Sequence, residues 1–184
     1  SDWVLIPSLA ILILSALIRL PLKDYWRRVM GEVVLLSGFI FVGVGAPGLI
    51  TNLFKRLVGR GRPVEFETAG AFAFQPVVND WTYQSFPSGH SATAMAMAFV
   101  VGFLWPRALV PFVVIAIIVG ISRVPVGAHY PTDVLAGLVV GMLGTYLVRN
   151  MFASRGWLFE KRDDGRIYRK PLTALPKMFQ RASV

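Results

Sequence analysis

Long, nearly uncharged apolar runs recur along the sequence, separated by basic or Gly- and Pro-containing segments. A helix needs about 17–25 residues to cross a hydrocarbon core. Residues 3–22 meet that length, interrupted only by Arg19 near one end, from where a long side chain can snorkel to the interface. Residues 33–54 meet it without a charge. Residues 55–88 are too polar for lipid and too many for a tight turn, which places them at or beyond a membrane face. Three shorter runs follow at 91–105, 108–121 and 134–148, and they span if the polar residues at their ends dip into the interface. The pattern predicts an all-α integral membrane helical bundle with about five transmembrane helices. Residues 1–154 form the transmembrane domain, with an outer loop at about 55–88, and residues 155–184 form a basic tail.

Composition agrees with the pattern. Hydrophobic residues make up 55% of the 184 and charged residues 16%, whereas soluble domains carry about 25% charged residues. Disorder is excluded because it requires low hydrophobicity. The absence of cysteine removes disulfides, thiolate metal sites and cysteine nucleophiles. A secretory signal is a poor reading of the first run, since Ser1 and Asp2 supply no basic leader. The net charge of +9 would suggest nucleic acid in a soluble protein; in a membrane protein it asks which side the cations occupy. Five crossings put Arg19, Lys23, Arg27, Arg28, Arg107 and the nine cations from Arg149 to Arg181 on one side, and Lys55, Arg56, Arg60, Arg62 and Arg123 on the other. The positive-inside rule makes the tail cytoplasmic and leaves the other five facing the exterior. The tail also carries Trp157, Phe159, Tyr168 and Phe179, and reads as an interfacial segment drawn to anionic lipid. Ser1 then lies outside, which predicts a further helix ahead of it, and the lack of an initial Met suggests a trimmed or processed chain.

The exceptional cations and both histidines fall in three short motifs at outer span ends. The first joins Lys55 to Arg62-Pro63, the second is Pro87-Ser88-Gly89-His90, and the third runs from Ser122-Arg123 through His129 to Asp133. Lys55, Arg62 and Arg123 present three positive charges, the two arginines with forks that match phosphate oxygens. Such a cluster near lipid is costly without an anion. Ser88 at an N-cap, with Gly89 admitting close approach, turns the following helix start into a further anion site. Asp133 lies four residues after His129, where a carboxylate can fix the ring tautomer and raise the basicity of the other nitrogen. His129 is therefore the candidate nucleophile at phosphorus, and His90 the candidate acid for the leaving oxygen and base for water. An alternative partner for Asp133 is Arg123. Arg56 and Arg60 read as interfacial anchors. The scheme requires no metal and no cofactor.

In this order and spacing, Lys-x6-Arg-Pro, Pro-Ser-Gly-His and Ser-Arg-x5-His-x3-Asp resemble the type 2 phosphatidic acid phosphatase superfamily. That superfamily includes lipid phosphate phosphatases, glucose-6-phosphatase and soluble vanadium haloperoxidases. The resemblance covers residues 54–144 and departs only in span count, since membrane members usually have six. It implies phosphate contacts from Lys55, Arg62, Ser88, Gly89 and Arg123, an acid at His90, a nucleophile at His129 and an orienting Asp133. The expected activity is metal-independent hydrolysis of a lipid phosphate or diphosphate through a phosphohistidine, on the outer face of a bacterial inner membrane. Phosphatidic acid, phosphatidylglycerol phosphate, undecaprenyl diphosphate and lipid A phosphate are candidate substrates. Phosphoryl transfer between lipids and non-catalytic lipid-phosphate binding or transport are the alternatives. The partners expected are the lipid substrate and membrane lipids, with no nucleic acid. Phe66, Phe72, Phe74, Trp81, Tyr83 and Phe86 of the outer loop read as an interfacial belt, or as a wall or lid for an acyl or prenyl chain.

Overall fold

A computed structural model describes residues 24–176, together with Ile6, residues 8–11 and Ile13. Among the described residues the main helices are α1 (Asp24–Val58), α2 (Gly89–Leu104), α3 (Leu109–Ile121) and α4 (Pro131–Ser154). The hairpin strands β1 (Phe159–Lys161) and β2 (Ile167–Arg169) follow. The expected run at residues 3–22 lies largely outside the described residues; those of its residues that are described are helical. The second run sits inside a longer helix than expected. Asp24 opens α1, where its charge suits the positive end of the helix dipole, so the basic residues 27 and 28 are helical. α1 and α4 are long and apolar enough to cross a membrane, whereas α2 and α3 are shorter apolar helices.

The chain is mostly helical, as expected, and a short two-stranded hairpin is added to the helices among the described residues. Phe159 pairs with Arg169, Glu160 with Tyr168 and Lys161 with Ile167. Its turn is shaped by Gly165 at φ +76 and by Asp164, whose carboxylate accepts the Arg166 N–H at 2.9 Å. Strands of three residues are too short for alternation to stand out from a basic tail.

The chain divides into two compact units, one made of Ser1–Val42 with Val148–Val184 and the other of Gly43–Leu147. In the second unit the usual distribution of polarity is inverted. Leu135, Val139, Leu143 and Leu147 recur every fourth residue of α4 and are all exposed, as are Val110, Val114 and Ile118 of α3. Ser88, Ser91, Asp133 and Thr145 are fully buried. A hydrocarbon solvent selects this arrangement, because lipid gives apolar side chains no reason to hide and leaves polar ones to pair with each other.

Close helix contact replaces large side chains in this unit. A Cβ on Gly137 would strike the Ser88 carbonyl, and one on Gly141 the Ala92 carbonyl, so α4 lies directly on the backbone of α2. A Cβ on Gly144 would stand 2.7 Å from the Pro47 ring of α1. Pro47 has no N–H to give to Gly43 four residues earlier. The Thr145 hydroxyl lies 3.1 Å from that carbonyl and 2.9 Å from the Gly141 carbonyl of its own helix, so it supplies the missing donor from α4. Beside this crossing, Tyr146 packs against Phe99 and Phe103 of α2 with centroids 5.3 and 5.0 Å apart.

The other unit is organised by Phe39, which is fully buried between Phe152 at 5.3 Å and Phe159 at 4.8 Å. α4 ends in a Schellman motif: the Gly156 N–H donates to Ala153, the Trp157 N–H donates to Phe152, and Gly156 holds φ +65. The rings of Trp157 and Phe152 meet at 5.4 Å, the apolar contact that accompanies such a stop. Glu32 of α1 fastens the segment after the hairpin, accepting backbone N–H groups from Thr173 at 2.7 Å, Ala174 at 3.0 Å and Leu175 at 2.8 Å.

Replacing Gly141 by Val forces α4 off the α2 backbone and is expected to cost about 1–3 kcal/mol. The check is the melting temperature in detergent, with exposed Leu143→Val as the control that stays within about 0.5 kcal/mol.

Candidate active site

The loop before α2 is tied to the end of α1. The Gly61 N–H donates to Ala73 at 2.8 Å, the Gln75 N–H to Gly59 at 2.7 Å, and the Arg62 N–H to Thr82 at 2.8 Å. Residues 60 and 62 therefore lie in extended chain held on both sides, and the period of two puts both arginines on one side. Gly59, at φ +60, allows this close return, since a Cβ there would overlap the Gln75 carbonyl. The same loop brings in Ser85, whose N–H donates to the Arg60 carbonyl at 3.0 Å.

Two further connections complete the frame. Between α3 and α4 the Arg123 carbonyl accepts the N–H groups of Ala128 at 3.2 Å and His129 at 3.3 Å. This closes the loop and explains the spacing of five residues between Arg123 and His129. The Ser88 N–H donates to the Asp133 carbonyl at 2.9 Å, joining the start of α2 to the start of α4.

Asp133 is the most heavily engaged side chain. It is fully buried. One oxygen accepts from Arg60 at 2.6 Å; the other accepts from the Ser85 hydroxyl at 2.6 Å and the Tyr130 N–H at 2.9 Å. Arg60 also donates to the Thr132 hydroxyl at 2.8 Å and lies 4.2 Å from the centroid of the Tyr130 ring. Two expectations are corrected here. Arg60 is not an interfacial anchor: it is buried at 9% exposure, because a carboxylate with no access to water requires a cation. The cation of Asp133 is Arg60 and not Arg123. Arg56 is exposed. His129 is 3% exposed, and its Nδ1 stands 3.8 Å from Asp133, within ion-pair range but beyond a hydrogen bond.

The remaining predicted residues gather around this knot. Lys55, at 9% exposure, donates from Nζ to the Gln84 carbonyl at 2.6 Å and passes 3.6 Å from where a Cβ on Gly89 would stand. The Arg62 Nε donates to the Trp81 carbonyl at 2.9 Å. Burial, and then the charge of Arg123, hold Arg62 below its ordinary ionisation range, with Asp133 opposing them. Lys55 feels the charge of Arg62, and His90 those of Arg123, His129 and Lys55. Ser88 caps α2, its Oγ accepting the Ser91 hydroxyl at 2.9 Å and the Ser91 N–H at 3.4 Å. His90 is exposed beside it on the first turn. The Arg123 Nε and His129 Nδ1 are buried and make no hydrogen bond. His129 Nδ1 is turned to Asp133, whereas mutually repelling cations, the buried Arg123 Nε without an acceptor and a capped helix start are what an anion of several oxygens satisfies.

All eight predicted residues thus lie in one neighbourhood. Sequence reasoning missed Ser85 and Tyr130 and misjudged Arg60. The available signal was the alternation of Arg60 with Arg62 before a proline.

An outwardly apolar helical arrangement that gathers three cations and two histidines at helix ends is of the membrane type. The chain belongs to the PAP2 superfamily, whose profile matches residues 36–157. It is 43% identical to a lipid A 1-phosphatase of Rhizobium johnstonii over 130 residues, covering 71% of this chain and 53% of that protein. The corresponding protein of Rhizobium etli is 42% identical over 130 residues, 71% of this chain and 56% of that one. Phosphatidylglycerophosphatase B of Bacillus subtilis is 32% identical over 137 residues, 68% of this chain and 60% of that one. The chain therefore spans little more than half the length of the two lipid A phosphatases.

Removing the cation of Asp133 by Arg60→Ala is expected to cost about 3–5 kcal/mol, since it strands a buried charge. Ser85→Ala should cost about 1–3 kcal/mol, and exposed Arg56→Ala less than about 0.5 kcal/mol. Thermal unfolding of the three purified variants checks the order.

Proposed function

We propose that the chain hydrolyses a phosphate monoester or diphosphate carried by a membrane lipid, through a phosphohistidine. The observation that carries this reading is the buried His129, 3.8 Å from Asp133, in a neighbourhood where the charges of Arg123, His129 and Lys55 all act on His90. With Nδ1 turned to Asp133, the other ring nitrogen attacks phosphorus, the bond from phosphorus to the lipid oxygen breaks, and His90 protonates that oxygen. Water then gives a proton to His90 and attacks phosphorus; the phosphorus–nitrogen bond breaks, its electron pair returning to His129, and inorganic phosphate leaves. The apo separation of 3.8 Å closes to a hydrogen bond as the ring gains positive charge. Lys55, Arg62, Arg123 and the N–H groups behind Ser88 and Gly89 hold the equatorial oxygens.

Among substrates, lipid A phosphate ranks first because two relatives at 42–43% identity are named for it. Phosphatidylglycerol phosphate, undecaprenyl diphosphate and phosphatidic acid follow. The chain crosses a bacterial inner membrane about five times, with the site on the outer face and the basic tail in the cytoplasm. That orientation is supported by the distribution of Lys and Arg.

The test is phosphate release from these lipids in detergent with a chelator. His129→Ala should abolish release, His90→Ala should lower kcat by about 10²–10⁴-fold, and vanadate should inhibit competitively. Equal release by wild type and His129→Ala would remove the nucleophile assignment.

A further inference from the structure

A second concentration of positive charge lies in the other compact unit and shares no residue with the candidate active site. The last two turns of α4 and the hairpin enclose an open cleft of about 620 Å³, lined among others by Arg149, Asn150, Ser154, Lys161, Gly165 and Arg166. Its lining holds three cations and no acid. The hairpin's acids are engaged elsewhere or turned to water. Glu160 accepts from Arg162 at 3.3 Å, Asp164 accepts from the Tyr168 hydroxyl at 2.8 Å and the Arg166 N–H at 2.9 Å, and Asp163 is exposed on the turn. Arg149 donates to the Asn150 side-chain oxygen at 2.8 Å, and the charges of Lys161 and Arg166 alone exceed the contribution of the carboxyl end of α4, about half a negative charge. The cleft is therefore an anion site.

Its place along α4 indicates which anion. The exposed apolar stripe of Leu135, Val139, Leu143 and Leu147 stops two residues before Arg149, so the cleft begins where the helix leaves its apolar stretch. Just beyond, Trp157 is 42% exposed with the Arg155 guanidinium 5.3 Å from its ring centroid, the amphipathic pairing of a headgroup layer. Asn150 and Ser154 add polar groups beside the cations. We infer that this cleft binds the phosphate of an anionic phospholipid headgroup from the leaflet next to the tail. The ligand chemistry is a phosphate ester, whose oxygens the cations of the cleft match.

The experiment uses the full chain in detergent and counts bound lipid by native mass spectrometry. Phosphatidylglycerol is the probe, phosphatidylcholine the zwitterionic reference, and glycerol 3-phosphate and inorganic phosphate the soluble competitors. Lys161→Glu with Arg166→Glu should weaken phosphatidylglycerol binding by about tenfold or more. The charge-matched pair Arg28→Glu with Arg169→Glu, outside the lining, should weaken it by less than about threefold. If the first pair unfolds, Lys161→Gln with Arg166→Gln replaces it. Equal losses from both pairs, or none from either, overturn the cleft. Displacement of the lipid by equimolar glycerol 3-phosphate overturns the lipid assignment in favour of a free ester. The readout is binding, so it stands or falls separately from phosphate release.

Discussion

The Asp133 carboxylate is the constraint to which the site's other distances answer. A charge taken out of water costs several kcal/mol unless a cation and hydrogen bonds replace the solvent. Arg60, Ser85 and the Tyr130 N–H supply that replacement, and each comes from a different stretch of chain or turn. Satisfying Asp133 therefore fixes the loop before α2 against the start of α4. The same residue's carbonyl holds the Ser88 N–H, so the start of α2 is fixed as well. Lys55, Arg62 and His129 inherit their positions from this arrangement.

The helices make such a knot possible by approaching closely. Gly137 brings the α2 and α4 backbones together one turn beyond Asp133, and Gly141 repeats the contact a turn further on. On the α1 side, Pro47 and Thr145 form a complementary pair, one lacking a donor and the other lending one across the crossing. Van der Waals contact and shared polar groups do here what apolar burial does in water. The polar site sits at one end of that packing and the aromatic cluster around Tyr146 further along it.

Much of this was legible in the sequence. The apolar runs located α2 and α3 almost to the residue, because hydrophobic length is read directly from composition. The three motifs meet in one neighbourhood because backbone hydrogen bonds tie the end of α1, the start of α2 and the loop before α4 to one another. Arg60 was misread because a charge alone does not disclose its partner: Asp133 lies 73 residues away in sequence, and only the fold shows that both are buried. Ser85 was invisible for the same reason, a serine in a polar loop being unremarkable until its hydroxyl meets a carboxylate. The hairpin was hidden by its length, three residues per strand inside a basic tail. The extent of α1 was underestimated since Arg27 and Arg28 suggest a loop by charge, while Asp24 shows a helix start.

The pairing of Arg60 with Asp133 bears on the valence of what the site can hold. Were Asp133 neutralised by Arg62 or Arg123, one of the three cations facing the substrate would be consumed. Because Arg60 takes that task, the close ion pair of Asp133 is with Arg60, and its charge reaches Lys55 and Arg62 only at longer range. A terminal phosphate carries close to two negative charges at neutral pH and exposes three oxygens, whereas a phosphodiester carries one charge and exposes two. Under the function proposed above, a site of this valence would favour a terminal phosphate over the diester headgroups of a bilayer, and so would stay available to a lipid that ends in phosphate.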